Sequence, residues 1–306
     1  MAKRALLIYN PAARGAPKLD RLQAAAGGVA GWEIAIELTS ASGHATELAR
    51  RAVRDGLEAV IACGGDGTVN EVANGLAGST TALAVVRGGT ANVWAKEIHA
   101  PKNPARALRL LAEGETRTID LGRATWSASG GGERHFVCMA GVGFDAAIVR
   151  ELAGGLKRRF GAASYIMAGF RRALRYRAVD AELVADNETL SCRLYWLTLG
   201  NTRNYGGVLN LAHMAKADDA KLELLVLGRG GVLRFAWLAV QVLLKRHHRR
   251  PDIVYRSVSS VDVRTAGLPV QIDGEYLGET PLRFAVAPGA LRVIVPAGLK
   301  SPLFSS

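Results

Sequence analysis

Gly64-Gly65-Asp66-Gly67-Thr68 stands directly after an apolar run, Ala59 to Cys63, and directly before a helical pattern, Val69 to Leu76. Glycines leave the amides of such a turn unobstructed and allow positive φ. The first turn of the helix adds N–H groups without intrahelical partners and a partial positive charge. Together they make a cradle for phosphate oxygens, at the strand ends where open α/β sheets bind ligands. Asp66 can hold a cation beside that phosphate, and Thr68 can donate its hydroxyl or cap the helix. As a loop residue outside the core, Asp66 is expected to be dispensable for folding. The competing reading is a tight turn in which both residues merely cap.

Three more strand ends carry small or polar residues. Gly88-Gly89-Thr90-Ala91-Asn92 follows Leu83 to Val86, Asn10 to Arg14 follows Ala5 to Tyr9, and Thr39 ends Trp32 to Leu38. One glycine turn is weak evidence for a nucleotide; four such ends on one sheet edge are considerably stronger. Much later, Asp273-Gly274 is the strongest short hairpin signal, with Glu275 just beyond it. A tight turn is a rigid place to present a carboxylate, so the hairpin and a chemical role for Glu275 are compatible. Asp218-Asp219 by itself reads as solvated charge on a turn.

The elements that position these residues fall into two groups. Up to about residue 122, apolar runs alternate with helical patterns: strands at Ala5–Tyr9, Trp32–Leu38, Ala59–Cys63 and Leu83–Val86, helices at Ala45–Arg54, Val69–Leu76 and Pro104–Glu113, the last capped by Asn103 and stopped by Gly114. Such alternation predicts an open parallel α/β sheet. Ser127 to Gly132 reads as a loop. After it, strand-like runs dominate: His135–Ala140, Ala178–Ala185, Leu190–Leu199, Leu222–Leu227, Ser257–Val263, and short runs around Ile272, Phe284 and Val293. Helical inserts fall at about Phe144–Leu152, Ala162–Leu174 and Val232–Leu244. This series predicts an antiparallel β-sandwich domain over 123–295, with a tail at 296–306 that packs back on the first domain.

The chain has 306 residues, 49% of them hydrophobic, and a formal charge of +12. That excess suits an anionic partner without choosing among nucleic acid, nucleotide phosphate and acidic membrane. Cys63, Cys138 and Cys192 have no paired or metal-ligand spacing and read as reduced core residues, which favours the cytosol. Neither the short apolar stretch after Met1 nor Val232–Leu244 reaches the roughly twenty residues of a spanning helix. Lys157-Arg158-Arg159, Arg171-Arg172, Arg175, Arg177 and Lys245 to Arg250 concentrate cations in the second half. The last cluster closes an apolar helical run and suits an anionic leaflet. No zinc-finger or helix-turn-helix pattern supports nucleic acid. His44, His213, His247 and His248 read as structural.

At this point the chain resembles the bacterial diacylglycerol-kinase-like lipid kinases, a family that includes sphingosine kinases. The matching segments are Asn10-Pro11, Gly43-His44-Ala45, Gly64 to Asn70 with Glu71, Gly89-Thr90-Ala91-Asn92, Ile119-Asp120-Leu121-Gly122, Gly141-Val142-Gly143-Phe144-Asp145, Gly200-Asn201, Asp218-Asp219 and Ile272-Asp273-Gly274-Glu275. NAD kinases and phosphofructokinases share turns like the first glycine loop; the later segments separate them.

The resemblance implies a nucleotide-binding α/β domain over 1–122, a lipid-binding β-sandwich, and ATP in the cleft between them. It assigns ATP contacts to Asn10, Pro11, Ala12, Ala13, Arg14, Thr39, Gly64, Gly65, Asp66, Gly67, Thr68, Val69, Asn70 and Thr90. It makes Glu275 the general base, with Asp66 as a second catalytic residue. It places Mg2+ on Asp219 and the carbonyls of Lys216 and Lys221, oxygen ligands that suit a hard cation. Ala220 departs from the family's usual glycine, and if that position needs positive φ the alanine is strained. The activity implied is phosphorylation of a membrane-lipid hydroxyl by Mg-ATP, with ATP, the lipid and an anionic membrane surface as partners, no nucleic acid, and a homodimer allowed. The expected location is cytoplasmic, at the inner membrane face. The competing functions are a kinase of a small soluble hydroxyl compound, NAD included, and a regulatory module that binds nucleotide and lipid without turnover.

Overall fold

β3 (Ala59–Gly64) is buried along its whole length, as an all-apolar strand must be when helices cover both faces of its sheet. Around it, β1 (Lys3–Tyr9) pairs in parallel with β2 (Trp32–Leu38) and with β3, and β3 pairs in parallel with β4 (Ala82–Arg87). The helices α1 (Leu19–Ala26), α2 (His44–Arg54), α3 (Asp66–Leu76), α4 (Val93–Glu97) and α5 (Pro104–Glu113) alternate with these strands. Asn103 accepts the Arg106 amide at 3.1 Å ahead of Pro104, so α5 starts and stops where its sequence predicts. The computed structural model describes residues 2–127, 130–153, 176–207, 209–250 and 252–305. These divide into two units, Met1–Leu121 with Pro288–Ser306, and Gly122–Ala287.

The first unit is completed by distant chain. Val293 of β16 (Leu282–Val295) pairs in parallel with Leu83 of β4. Leu303 is fully buried, and Arg117 donates to the Leu299 carbonyl at 3.0 Å and lies over the Phe304 ring.

The second unit holds two sheets. One runs β16-β13-β8-β9 through β13 (Ser260–Val263), β8 (Val179–Ala185) and β9 (Glu188–Leu194), with β5 (Glu115–Trp126) and β6 (Gly132–Phe136) paired beside it. The other is antiparallel and six-stranded, in the order β12-β11-β10-β7-β14-β15. Its strands are β7 (Met139–Gly143), β10 (Trp196–Gly200), β11 (Leu222–Leu227), β12 (Ile253–Val258), β14 (Pro269–Ile272) and β15 (Glu275–Glu279). Phe136, Leu183, Val261 and Phe284 from the first sheet share a core with Val142, Leu197, Leu224 and Val270 from the second. This unit is a β-sandwich and the first an α/β sheet, which is the expected fold class. α6 (Phe144–Ala153) and α7 (Val232–Leu243) bring apolar residues to the other face of the six-stranded sheet.

Three predicted strands are each broken in two. His135–Ala140 splits at Val137-Cys138, Leu190–Leu199 at Tyr195, and Ser257–Val263 at Ser259. All three breaks let the chain pass from one sheet to the other, which alternation in sequence does not reveal. β5 is a strand not expected from the sequence, and β16 joins the short runs expected around Phe284 and Val293 into one strand that runs through Pro288-Gly289. The predicted helix at Ala162–Leu174 and the cations Lys157, Arg158, Arg159, Arg171, Arg172 and Arg175 lie outside the described residues.

Gly122 lies in β5 with the Phe136 ring over it: a Cβ there would come within 1.9 Å of the ring, which itself packs edge-on against Phe284 at 6.3 Å. Gly122→Ala must displace Phe136 from the sandwich core, and overpacking of this kind costs about 1–3 kcal/mol. The denaturation midpoint of that variant is expected to fall accordingly; an unshifted midpoint would mean that Phe136 swings aside freely.

Candidate active site

Two glycine turns leave adjacent parallel strands in the first unit. They touch through backbone alone. The Gly88 amide donates to the Gly64 carbonyl at 2.8 Å, and the Gly15 amide to the Gly88 carbonyl at 2.9 Å. A Cβ on Gly89 would stand 2.5 Å from the Gly65 Cα, and one on Gly64 would stand 2.4 Å from the Thr68 hydroxyl. Gly64, Gly65, Gly67, Gly88 and Gly89 are all absent from the positive-φ residues, and Gly65 has φ −89°. The expectation of positive φ is therefore corrected. What the turns require of glycine is space.

Asp66 is also corrected. It is no loop residue but the first residue of α3, and it joins the two turns: one carboxylate oxygen accepts the Val93 amide at 2.6 Å, at the start of α4. Burial pushes its carboxyl above the ordinary value, and the amides of Val93 and Asn92 offset part of that shift. Asn92 in turn accepts the Gly89 amide at 2.8 Å and donates back to its carbonyl at 2.6 Å. Thr68 does not cap α3; its buried hydroxyl accepts from the Asn10 side chain at 2.9 Å, tying the first strand end to the third. Asn10 also accepts the Ala12 amide at 2.9 Å, and the Thr39 amide donates to the Tyr9 carbonyl at 2.9 Å.

Pro11, Ala12, Arg14 and Thr90 are exposed, and Ala13, Thr39, Gly65, Asp66 and Gly67 are half-buried. Val69 and Asn70 are buried, and the Val69 amide serves the Gly65 carbonyl. Their side chains do not face solvent. Glu71, one turn further along α3, caps another helix: its carboxylate accepts the Ala45 amide at 3.1 Å at the start of α2, and its carbonyl accepts the Thr46 hydroxyl at 2.8 Å. Gly43, at φ 86°, allows that approach. Such first-turn amides and dipoles can do one chemical thing well, which is to hold oxyanions.

In the second unit, Asp273 (φ 47°) and Gly274 (φ 82°) form the tight turn between β14 and β15. Positive φ at both central residues is the type I′ condition. Glu275 opens β15, and its carboxylate pairs with Arg134 of β6. Nothing in the order of residues signals that partner. Nor does it signal that the Asp273 carboxylate accepts the amides of Val137, Cys138 and Met139, at 2.8, 2.9 and 2.9 Å. Those bonds explain why the chain breaks between β6 and β7.

Asp219 and Lys216 are exposed on a turn where Ala220 has φ 57°. Alanine there carries a left-handed strain of about 1–2 kcal/mol, which glycine would not. One Asp219 oxygen accepts the Lys221 amide at 3.0 Å, while Lys221 Nζ donates to Ser259 at 2.8 Å. An exposed carboxylate beside turn carbonyls is a donor set that fits a hard cation. Among the described residues, no group of three or more His, Cys, Asp or Glu is arranged to hold a metal. His213, His247 and His248 nevertheless gather around Tyr255, with ring centroids 4.7 to 6.1 Å apart. Burial, followed by the neighbouring His247 and His248 and then Arg203 and Lys245, lowers His213 to about 4, and burial raises Cys63 to about 12.

A family model described as "Diacylglycerol kinase catalytic domain" matches residues 4–124, and one described as "YegS C-terminal NAD kinase beta sandwich-like domain" matches 138–295. The "Probable lipid kinase YegS-like" of Chromohalobacter salexigens is 33% identical over 274 residues, covering 88% of this chain and 86% of its own. The "Diacylglycerol kinase" of Staphylococcus aureus is 28% identical over 297 residues, covering 93% and 90%. The crystal structure of a diacylglycerol kinase from Bacillus anthracis str. Sterne superposes with a TM-score of 0.68 at 21% identity, covering 96% of this chain and 97% of that one. A second crystal structure from that organism reaches 0.75 at 23%. At those identities the likeness is one of fold.

Asp66→Ala strands the Val93 amide at a half-buried position and is expected to lower folding stability by about 1–3 kcal/mol. Asp66→Asn keeps one acceptor oxygen and should lose less. Chemical denaturation of both variants, read beside ATP affinity, checks the tie; an alanine variant as stable as the wild type would break it.

Proposed function

This chain belongs to the lipid kinase family that carries a diacylglycerol kinase catalytic domain, and we propose that it moves the γ-phosphoryl group of Mg-ATP to the hydroxyl of a membrane lipid such as diacylglycerol. The observation that carries the nucleotide half of this reading is the contact of the two glycine turns. No side chain can enter there, so the surface is backbone; with the Gly88 and Gly89 amides given to Gly64 and Asn92, the N–H groups that receive phosphate oxygens in this reading are those of the first turn of α3. Asn10 to Arg14, Thr39 and Thr90 border that edge and supply the remaining contacts to ATP.

Glu275 is the general base of the proposal, accepting the lipid hydroxyl's proton as its oxygen attacks the γ-phosphorus. Arg134 fixes the direction of that carboxylate. Asp219, with the carbonyls of Lys216 and Lys221, would hold Mg2+, which supplies charge neutralisation. The rest of the work assigned to the chain is positioning. The acceptor lies in a bilayer, and the second unit has a face that suits one. Val240, Leu243 and Leu244 at the end of α7 are 51, 70 and 55% exposed, beside exposed Lys245, Arg246 and Arg249. Arg250 is otherwise engaged, lying over Trp237 and 3.7 Å from Asp252. No helix among the described residues is long and apolar enough to cross a membrane.

Radiolabel from γ-labelled ATP is expected in a total lipid extract and not in NAD, the control acceptor that the description of the second family model suggests. Glu275→Gln keeps shape and hairpin but removes the proton acceptor, so kcat should fall by about a hundred- to ten-thousand-fold with little change in ATP affinity. Label in NAD alone would replace the lipid acceptor, and wild-type turnover in the glutamine variant would remove Glu275 as base.

Binding to vesicles is expected to rise with anionic lipid content and fall with salt, since exposed charges are screened beyond about 8 Å at physiological ionic strength. Reversing Arg246 and Arg249 to glutamate should weaken it. Association indifferent to both changes would leave the basic face a solvated surface.

A further inference from the structure

Asp273 sits at the turn that presents Glu275, yet its side chain points back into the sandwich. Its carboxylate receives three consecutive amides, Val137, Cys138 and Met139, and its own amide donates to the Met139 carbonyl at 2.9 Å. Those three residues are buried, so a charge-assisted set of this kind replaces water that cannot reach them. The same short link is held on its other side by Asn201. The Asn201 side chain donates to the Val137 carbonyl at 2.9 Å, and the amides of Asn201 and Thr202 donate to the Cys138 carbonyl at 2.9 and 3.1 Å. β6, which carries Arg134, ends at this link, and Arg134 holds Glu275. The clamp therefore fixes both the turn before Glu275 and the strand bearing its partner.

A second line reaches the turn from within the six-stranded sheet. The Gly274 amide donates to Gln271 Oε1 at 2.8 Å, Gln271 Nε2 donates to Asp145 Oδ2 at 2.8 Å, and the Tyr205 hydroxyl donates to Asp145 Oδ1. Gln271 and Asp145 are both 2% exposed. They meet above Gly141, where a Cβ would stand 2.7 Å from each. Three sequence segments without an assigned role, Gly141 to Asp145, Gly200-Asn201 and Ile272-Asp273, thus meet at this turn and the link it clamps.

We propose that Asp273 is a positioning residue for the phosphoryl transfer: its clamp on residues 137–139, seconded by Gln271 and Asp145, holds the Glu275 carboxylate in the one direction from which it can take the acceptor's proton. The proposal rests on Glu275 being the base. Asp273→Asn retains one acceptor oxygen but sets an NH2 group against a backbone N–H, so the clamp loosens while the turn sequence Asn-Gly remains favourable. A displaced base of this kind costs roughly ten- to a hundred-fold in rate.

The test is a cycle of Asp273→Asn, Glu275→Gln and the double variant, assayed for lipid phosphorylation with γ-labelled ATP. If Asp273 acts through Glu275, Asp273→Asn lowers kcat with KM for ATP unchanged, and the double variant is no slower than Glu275→Gln alone. Wild-type kcat in Asp273→Asn, or losses that multiply in the double variant, would overturn the positioning role and leave the base intact. Wild-type kcat in Glu275→Gln would overturn the base, and positioning with it. Should thermal melting show Asp273→Asn unfolded, Gln271→Met, which removes the Oε1 acceptor of the Gly274 amide and spares the clamp, carries the same cycle with the same expected non-additivity.

Discussion

Parallel strands lie about 4.8 Å apart, and everything at the edge formed by the glycine turns follows from two of them ending side by side. The chains leaving β3 and β4 must pass through one narrow space before either can begin a helix. Glycine carbonyl meets glycine amide there, and Gly89 lies against Gly65 with no room for a methyl group. Once side chains are excluded, the surface is backbone by necessity. The helix starts of α3 and α4 then stand close enough for one carboxylate, Asp66, to serve both. Asn10 and Thr68 extend the same linkage to the first strand.

The second unit solves a related problem differently. There a carboxylate placed at a hairpin satisfies amides on another strand, and a buried polar line runs from Tyr205 through Asp145 and Gln271 to the turn. Both units use side chains of short polar residues to finish backbone hydrogen bonds that no ladder or helix can finish. In the first unit those residues stand at the ends of strands, and in the second they lie beneath a turn.

That difference decides what can be read from sequence. β2 and α5 are local objects whose alternation, Asn103 cap and Gly114 stop are written in neighbouring residues. The two glycine turns are legible because strand, glycine and helix follow one another directly. The break at Val137-Cys138 is not, because its cause is Asp273, more than a hundred residues away in sequence. Arg134 as the partner of Glu275 is hidden for the same reason. Asp66 is legible as a member of its turn, but its part in holding the fold is not. Only the proximity of Val93, a tertiary fact, makes an apparent loop carboxylate into a joint. The glycines likewise suggest conformational freedom, whereas neighbouring backbone is what excludes any other residue.

The first unit is discontinuous along the chain, and this bears on its synthesis. β4 gains its neighbour on one side from Val293, and Arg292 donates to the Thr80 carbonyl across 212 residues of sequence. A ribosome making this protein at roughly 5–20 residues per second therefore releases β1 to β4 on the order of ten seconds or more ahead of the strand that covers them. During that interval β4 is a bare edge of apolar residues, the kind of edge that pairs with whatever strand it meets. The sandwich unit, an uninterrupted stretch from Gly122 to Ala287, has all of its strands before the α/β unit has its last. Chaperone dependence during translation should accordingly fall on the half of the molecule that is made first.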